Sequence, residues 1–382
     1  MKIALINNFP PWTGIGKYAS SLLDYINRSG HDAQLFSLNS FADQAGSKVV
    51  TVDKNNFGIF STFKNYLVNP HRIPIDFDIY HVINEQIGVY SKYRRPSIVT
   101  FHDTFLRGPG SSFASGLSSS PKWLTTKVQW SKPYHYFINR NRLSAVHADA
   151  ITCNSLFVKR NLIYNLPSYP PSKIHVICGL ASNRVCPANR RDARMQLGLP
   201  ENSSIVLCMG DKNNPVKNTQ TAVTAFHNLS KLLKTNEPLL IVVGALSQKT
   251  ERLISELSLD TNTLIFDRLQ ESEMALAYQS SDVLLFPVFY AGFGMPLIEA
   301  FASMCPVVSS NVGSIPEVAG NAALLYEPTD VGGFVNGLLN VLTDGNLRQS
   351  MMNKGFERAK SYRIEVWGKA MIDLYEAVIN GV

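Results

Sequence analysis

Short apolar runs rich in β-branched residues alternate along nearly the whole chain with stretches whose apolar positions recur every three or four residues. That alternation predicts strand–helix–strand units and parallel sheets, because a parallel strand is buried on both faces while its crossover helix is buried on one. In the first half, strands are expected at Lys2–Asn7, Ala33–Ser37, Ile79–Val82, Ser97–Phe101, Ala150–Cys153 and Lys173–Ile177, with helices such as Gly16–Asn27 and Ser155–Tyr164 between them. In the second half, strands are expected at Ser204–Met209, Leu239–Val243, Thr263–Phe266, Val283–Pro287, Pro306–Ser309 and Ala323–Tyr326. The helices there include Thr219–Leu233, Glu273–Gln279, Pro296–Met304 and Val331–Leu342. Each half suffices for one doubly wound α/β domain, and Gly179–Pro200, with Pro187, Gly198, Pro200 and a basic run, reads as the linker. Domains over residues 1–180 and 181–361 are expected, facing each other across a cleft at the carboxyl ends of their strands, where ligands of such sheets bind.

Composition narrows the class. With 45% hydrophobic and 17% charged residues in 382, the chain is globular rather than disordered. The net charge of +7 is unevenly placed: residues 1–187 hold 20 basic and 9 acidic side chains, and the remainder 16 and 20. The halves therefore meet different partners. Five scattered cysteines without CxxC spacing favour reduced thiols and a cytoplasmic setting. The opening MKIALIN reads as a strand rather than a leader, and no apolar run approaches the length of a membrane span. One region breaks the rhythm. Residues 108–121 are rich in Gly, Ser and Pro, and residues 122–142 interleave Lys122, Lys127, Lys132, Arg140 and Arg142 with Trp123, Trp130, Tyr134, Tyr136 and Phe137. This is either a loop with a half-buried helix pair, or a flap beside a basic, aromatic surface suited to anionic lipid headgroups. Nucleic acid is disfavoured, since no binding module accompanies the patch.

Four segments could carry chemistry. Thr13-Gly-Ile-Gly-Lys-Tyr18 follows the first strand and opens a helix, where Gly14 and Gly16 would let backbone amides approach a phosphate; the alternative is a plain tight turn. A dinucleotide fingerprint is not met, because Ala19 stands past the turn and no acidic residue ends the second strand. His102, in Phe101-His-Asp-Thr-Phe105, ends a strand at the expected ligand edge, although a lone histidine is more often structural. In Gly210-Asp-Lys-Asn-Asn-Pro-Val-Lys-Asn218, Lys217 stands at a helix start, a poor place for a cation unless an anion is bound there; Lys212 is a second candidate, and both could be solvated loop lysines. The segment Phe289-Tyr-Ala-Gly-Phe-Gly-Met-Pro-Leu-Ile-Glu-Ala300 is the most specific. Its Gly292-Phe293-Gly294-Met295 turn aims amides at an anion, Pro296 suits the first turn of a helix, and Glu299 could accept hydrogen bonds from a vicinal diol such as ribose. Ser314-x-x-Glu317 further on has capping-box spacing.

In order and spacing these segments resemble the GT-B retaining glycosyltransferases of group 1, family 4, most densely over residues 281–328. The resemblance implies two Rossmann-like domains: the first binds a glycan or lipid-linked acceptor, the second a nucleotide-sugar donor, UDP- or GDP-linked. A C-terminal helix within 362–382 would cross back to the first. It further implies Glu299 as the second glutamate of an E-x7-E motif holding the ribose, and the Gly292–Met295 backbone at the sugar and diphosphate. Lys217 would lie on the diphosphate, helped by Lys212, with Gly14 and Gly16 by the phosphates and His102 near the transferred sugar. No cofactor and no metal are implied, and transfer is expected to be a front-side displacement with retention of a mannosyl or glucosyl group. The implied setting is cytoplasmic and peripheral to an anionic membrane, in polysaccharide or glycolipid biosynthesis. Two departures leave a second reading open. The first glutamate of the motif is replaced by Ala291, and the arginine six residues before the lysine by Asp211. A catalytically weak or inactive nucleotide-sugar-binding homologue would also carry this pattern.

Overall fold

A computed structural model describes residues 1–11, 13–38, 48–52, 69–103, 143–179, 186–212, 214–233 and 237–381. The stretches at 108–121 and 122–142, with their flap and lipid-surface readings, lie outside the described residues. The chain divides into two compact units, one formed by the described residues up to 179 plus those from Ile364 onward, the other by residues 186–363.

The first unit is built on seven parallel strands: β1 (Lys2–Asn7), β2 (Asp32–Ser37), β3 (Val49–Thr51), β4 (Ile79–Val82), β5 (Ser97–Phe101), β6 (Ala150–Cys153) and β7 (Ile174–Val176), in the order β3-β2-β1-β4-β5-β6-β7. The order reverses between β1 and β4, and there Asn84 Nδ2, after β4, donates to Asn8 Oδ1, after β1, at 2.7 Å. Helix α1 (Gly14–Arg28) starts where Thr13 Oγ1 accepts the Gly16 amide at 3.1 Å, and buries Tyr18, Ala19, Leu22, Leu23 and Ile26 on one stripe. Helix α2 (Leu156–Asn165) is capped by Ser155, whose hydroxyl accepts from the Val158 amide at 3.1 Å.

The second unit repeats the plan with six parallel strands: β8 (Ile205–Met209), β9 (Leu239–Val243), β10 (Thr263–Phe266), β11 (Val283–Phe286), β12 (Val307–Ser310) and β13 (Ala323–Tyr326), in the order β10-β9-β8-β11-β12-β13. Its reversal falls between β8 and β11. Its helices of seven residues or more are α3 (Arg190–Gln196), α4 (Thr219–Ser230), α5 (Gln248–Glu256), α6 (Glu271–Ser280), α7 (Met295–Ala302), α8 (Val331–Thr343) and α9 (Gly345–Lys360). Three of these are hard to expect from hydrophobic periodicity because their buried stripes are thin. In α5 only Thr250 and Ile254 are buried, in α9 Met351, Gly355 and Ala359, and in α3 Ala193 and Arg194. Helix α3 lies in the stretch expected to be linker. It is held there by Asp282, which accepts from Arg194 Nη2 at 2.8 Å, from Arg190 Nη1 at 2.6 Å and from the Ile205 amide at 2.8 Å.

The C-terminal helix α10 (Ile364–Ile379) belongs to the first unit and buries Trp367, Gly368, Met371, Leu374 and Tyr375. Gly368 is required by proximity: a Cβ there would stand 2.3 Å from Tyr25 Cδ1 of α1. A buried polar chain fixes the helix to the sheet. Tyr375 Oη lies 2.6 Å from His81 Nδ1, His81 Nε2 lies 2.6 Å from Thr100 Oγ1, and Thr100 Oγ1 lies 2.6 Å from Thr152 Oγ1. Burial pushes the His81 imidazole down to a pKa of about 3, so the ring is neutral.

Candidate functional site

The loops leaving β8 and β11 come together at the reversal point of the second sheet. Gly210 is there because the β9 loop passes too close for a side chain; its Cβ would stand 2.2 Å from Gly244 O. Asp211 is buried and faces that same neighbour, accepting from the Ser247 amide at 2.9 Å, the Ser247 hydroxyl at 3.2 Å and the Thr250 hydroxyl at 2.8 Å. It acts as a tether between loops. Lys212 is exposed. Asn218, in the left-handed region at φ 55°, donates through Nδ2 to Pro287 O at 2.6 Å and Pro328 O at 2.8 Å, and Val216 O accepts from the Phe289 amide at 2.8 Å. Lys217 thus sits between two residues pinned to the β11 loop. Lys217 is half-buried, and burial lowers the pKa of its ammonium while the nearby Glu299 carboxylate and Cys208 oppose that shift. Burial is thus the larger influence on this cation, and an anion beside it would oppose that shift.

The β11 loop ends in the Gly292–Met295 turn. Gly294 has φ +99°, and a Cβ there would lie 2.8 Å from Ile315 Cδ1, so glycine is needed on both grounds. The Phe293 ring packs edge-on against Tyr362 at 5.6 Å, which turns its side chain into the core and leaves its backbone to shape the turn. Ser314 holds the turn from behind. Its hydroxyl donates to Ala291 O at 3.0 Å and Phe293 O at 2.8 Å, and its amide donates to Ala291 O at 3.1 Å. This corrects the capping-box expectation for Ser314-x-x-Glu317: Ser314 makes no side-chain cap, because its hydroxyl is directed to those two carbonyls. The box is found instead at Gln270 and Glu273, at the start of α6. Glu299 lies one turn into α7, half-buried, with Oε2 accepting from the Tyr278 hydroxyl of α6 at 2.7 Å. Burial and the adjacent carboxylate push Tyr278 well above the usual phenol range. Lys217, the glycine turn and Glu299 therefore share one site, and Tyr278, Asn218 and Ser314 support it. The sequence marked Ser314 only as a helix cap and did not mark the other two as site residues: Tyr278 follows the buried Ala275 and Ala277 and reads as core, and Asn218 reads as the residue before a helix.

Gly14, Gly16 and His102 belong to the first unit. Gly14 has open space around it, whereas a Cβ on Gly16 would stand 1.8 Å from Pro10 O. Gly16 is thus explained by a close backbone crossing, and its amide is already bonded to Thr13. His102 follows β5, half-buried, with Nε2 2.8 Å from Ile83 O and its ring edge-on to Tyr18 at 4.9 Å. A carbonyl can only accept, so Nε2 carries the hydrogen, and Nδ1 of the neutral ring is an acceptor. Burial lowers the His102 pKa, against the opposing pull of Glu85 and the Ile83 carbonyl. Asn154 Nδ2 donates to His102 O at 3.1 Å and fixes the backbone beneath it.

Comparison with known proteins places this architecture. The family model for glycosyltransferase family 4 matches residues 12–179, and that for glycosyl transferases group 1 matches residues 189–358. The chain belongs to this family. An O-antigen chain mannosyltransferase B from Escherichia coli is 34% identical over 106 residues, 28% of each chain. The alignments span 28% and 54% of the first two curated relatives, so the chain matches about half of their length or less. Among solved structures, sucrose-phosphate synthase from Thermosynechococcus elongatus superposes with a TM-score of 0.78 at 18% identity, covering 100% of both chains. HepE from Anabaena, in complex with UDP-glucose, gives 0.74 at 15% identity over 99% of this chain and 100% of that one. The fold is GT-B, and both sheets meet the doubly wound α/β expectation. Among the described residues no helix is long and apolar enough to cross a membrane.

Proposed function

We propose that this chain is a retaining hexosyltransferase, which moves a mannosyl or glucosyl group from a nucleoside-diphosphate sugar to a glycan or lipid-linked acceptor. The observation that carries the reading is the pairing, at one strand-order reversal, of a half-buried, anion-seeking Lys217 with a carboxylate, Glu299, across a glycine turn at a helix start. A diphosphate and a ribose present those two needs side by side. The mannosyltransferase name of the E. coli relative and the UDP-glucose held by HepE support the donor class.

In this reading the bond between the anomeric carbon and the diphosphate oxygen breaks, and negative charge grows on the leaving diphosphate. Lys217 Nζ and the amides entering α7 meet that charge, which is the principal electrostatic task and the one a divalent ion performs elsewhere. The acceptor oxygen bonds to the same face of the anomeric carbon, and its proton passes to the leaving phosphate oxygen. Glu299 holds the ribose, Gly14 lies by the phosphates, Lys212 lends a second, solvated charge, and His102 Nδ1 accepts from a hydroxyl of the transferred sugar. The first unit binds the acceptor at the cytoplasmic face of an anionic membrane. Ala291 supplies no carboxylate to the sugar, and Asp211 is occupied as a tether.

A panel of UDP-, GDP-, ADP- and dTDP-sugars read by mass spectrometry tests the proposal. One donor should be consumed with release of its nucleoside diphosphate, and Lys217→Ala should lower kcat/KM by about 10²–10³ with an unchanged melting temperature. A thermal shift without nucleotide release would make the chain a binder, and near-normal kcat/KM in the variant would remove Lys217 from the chemistry.

A further inference from the structure

Glu299 faces two groups of opposite consequence. Tyr278 of α6 reaches it with a hydroxyl at 2.7 Å, and Lys217 lies close enough for the carboxylate to oppose the downward shift that burial imposes on the ammonium. The Tyr278 ring is fully buried between α6 and the rest of the unit, so its hydroxyl is delivered from a rigid support rather than from a loop. A carboxylate on a flexible two-methylene stem has several rotamers, and in a poorly hydrated site one of them is pulled toward any neighbouring cation. A carboxylate collapsed onto Lys217 would neutralise the charge meant for the diphosphate and abandon the diol. A hydrogen bond from a buried phenol, charge-assisted and directional, counters that pull.

We propose that Tyr278 is a positioning residue for the donor: its hydroxyl holds Glu299 Oε2 so that the carboxylate faces the ribose hydroxyls and leaves Lys217 to the diphosphate. The proposal rests on the donor reading above and deepens it, because it makes recognition of a ribose, as opposed to a deoxyribose, depend on a residue that itself does not touch the sugar. It also accounts for a hydroxyl on the one aromatic side chain that α6 buries.

The test is a cycle between protein and ligand, with dissociation constants measured by calorimetry for UDP and 2′-deoxy-UDP, and for GDP and 2′-deoxy-GDP. The wild-type protein should prefer the ribose form of one pair by about tenfold, the worth of one hydrogen bond to a charged group. Tyr278→Phe should reduce that preference to within about twofold, with the affinity for the deoxy form unchanged. Glu299→Gln should do the same, and the double variant should add nothing further. Incorporation of 3-fluorotyrosine at position 278, which keeps the shape and strengthens the donor, should retain the full preference and guards against a folding defect in the Phe variant. A ribose preference that survives in Tyr278→Phe overturns the proposal, as does an equal loss for ribose and deoxyribose forms, which would mark a merely structural role. Wild-type protein without a ribose preference, or without binding to either pair, instead overturns the donor reading on which the proposal stands.

Discussion

Lowering the pH from 7 to 5 should destabilise the first unit by about 2 kcal/mol through His81 alone. The histidine is wholly buried between Tyr375 and Thr100, and its folded pKa is depressed to about 3, against 6.5 for the free side chain. A depressed histidine pKa means that the unfolded chain takes up the proton first, so the stabilisation is present above pH 6.5 and is lost as pH falls toward 3. At pH 5 the unfolded imidazole is almost fully protonated and the folded one almost not at all. The loss is therefore about 1.36 kcal/mol for each pH unit below 6.5, or about 2 kcal/mol. The figure is insensitive to the folded value as long as that value stays below about 4, and the limit reached near pH 3 is about 5 kcal/mol. His102 and His175, also depressed, act in the same direction, so the measurement must be differential. His81→Asn removes the titration while keeping a polar atom near Tyr375 Oη, and Thr100 retains Thr152. Urea unfolding at pH 7 and pH 5 should show the wild type losing about 2 kcal/mol more than this variant between the two conditions. An equal loss in both proteins would mean that His81 is not held neutral by the helix above it, and the account of how α10 docks would fail.

Four further outcomes follow from single contacts. Tyr375→Phe leaves one buried imidazole nitrogen without its partner and should cost about 1–3 kcal/mol in thermal or urea unfolding. Asp282→Ala strips the buried Arg194 of its counter-charge at 2.8 Å and should destabilise the second unit by about 3–5 kcal/mol, seen as an early transition in calorimetry. Gly368→Ala would place a methyl 2.3 Å from the Tyr25 ring, and a loss of about 1–3 kcal/mol is expected as α10 shifts; an unchanged melting temperature would contradict the packing. Ser314→Ala takes the hydroxyl donor from Phe293 O, and loosening of the Gly292–Met295 turn should raise the donor KM at least severalfold while the Ala291 carbonyl keeps its backbone bond.

The parts of this molecule that were legible in advance are those whose signal is local. A strand buried on both faces must be apolar throughout, so β1, β8 and β11 announce themselves, and Gly294, needed for its φ, falls in the glycine turn that the sequence marks. What was hidden depends on partners distant in the chain. Arg194 looks like one more charge in a basic linker until Asp282, 88 residues on, is placed beside it. His81 inside β4 reads as an interruption of a strand until Tyr375 returns from the C-terminus to meet it. The same division runs through the site. Lys217 and Glu299 are conspicuous because each is a charge set where the helix start or an apolar run disfavours one. Tyr278, Asn218 and Ser314 obey every local rule, since a tyrosine, an asparagine before a helix and a serine before a proline turn need no special cause. Their role exists only in the third dimension, where each gives a hydrogen bond to a group whose orientation a ligand would feel. It follows that the support of such a site should tolerate fewer substitutions than its sequence context suggests, and that a conservative change at position 278 should disturb recognition more than it disturbs stability.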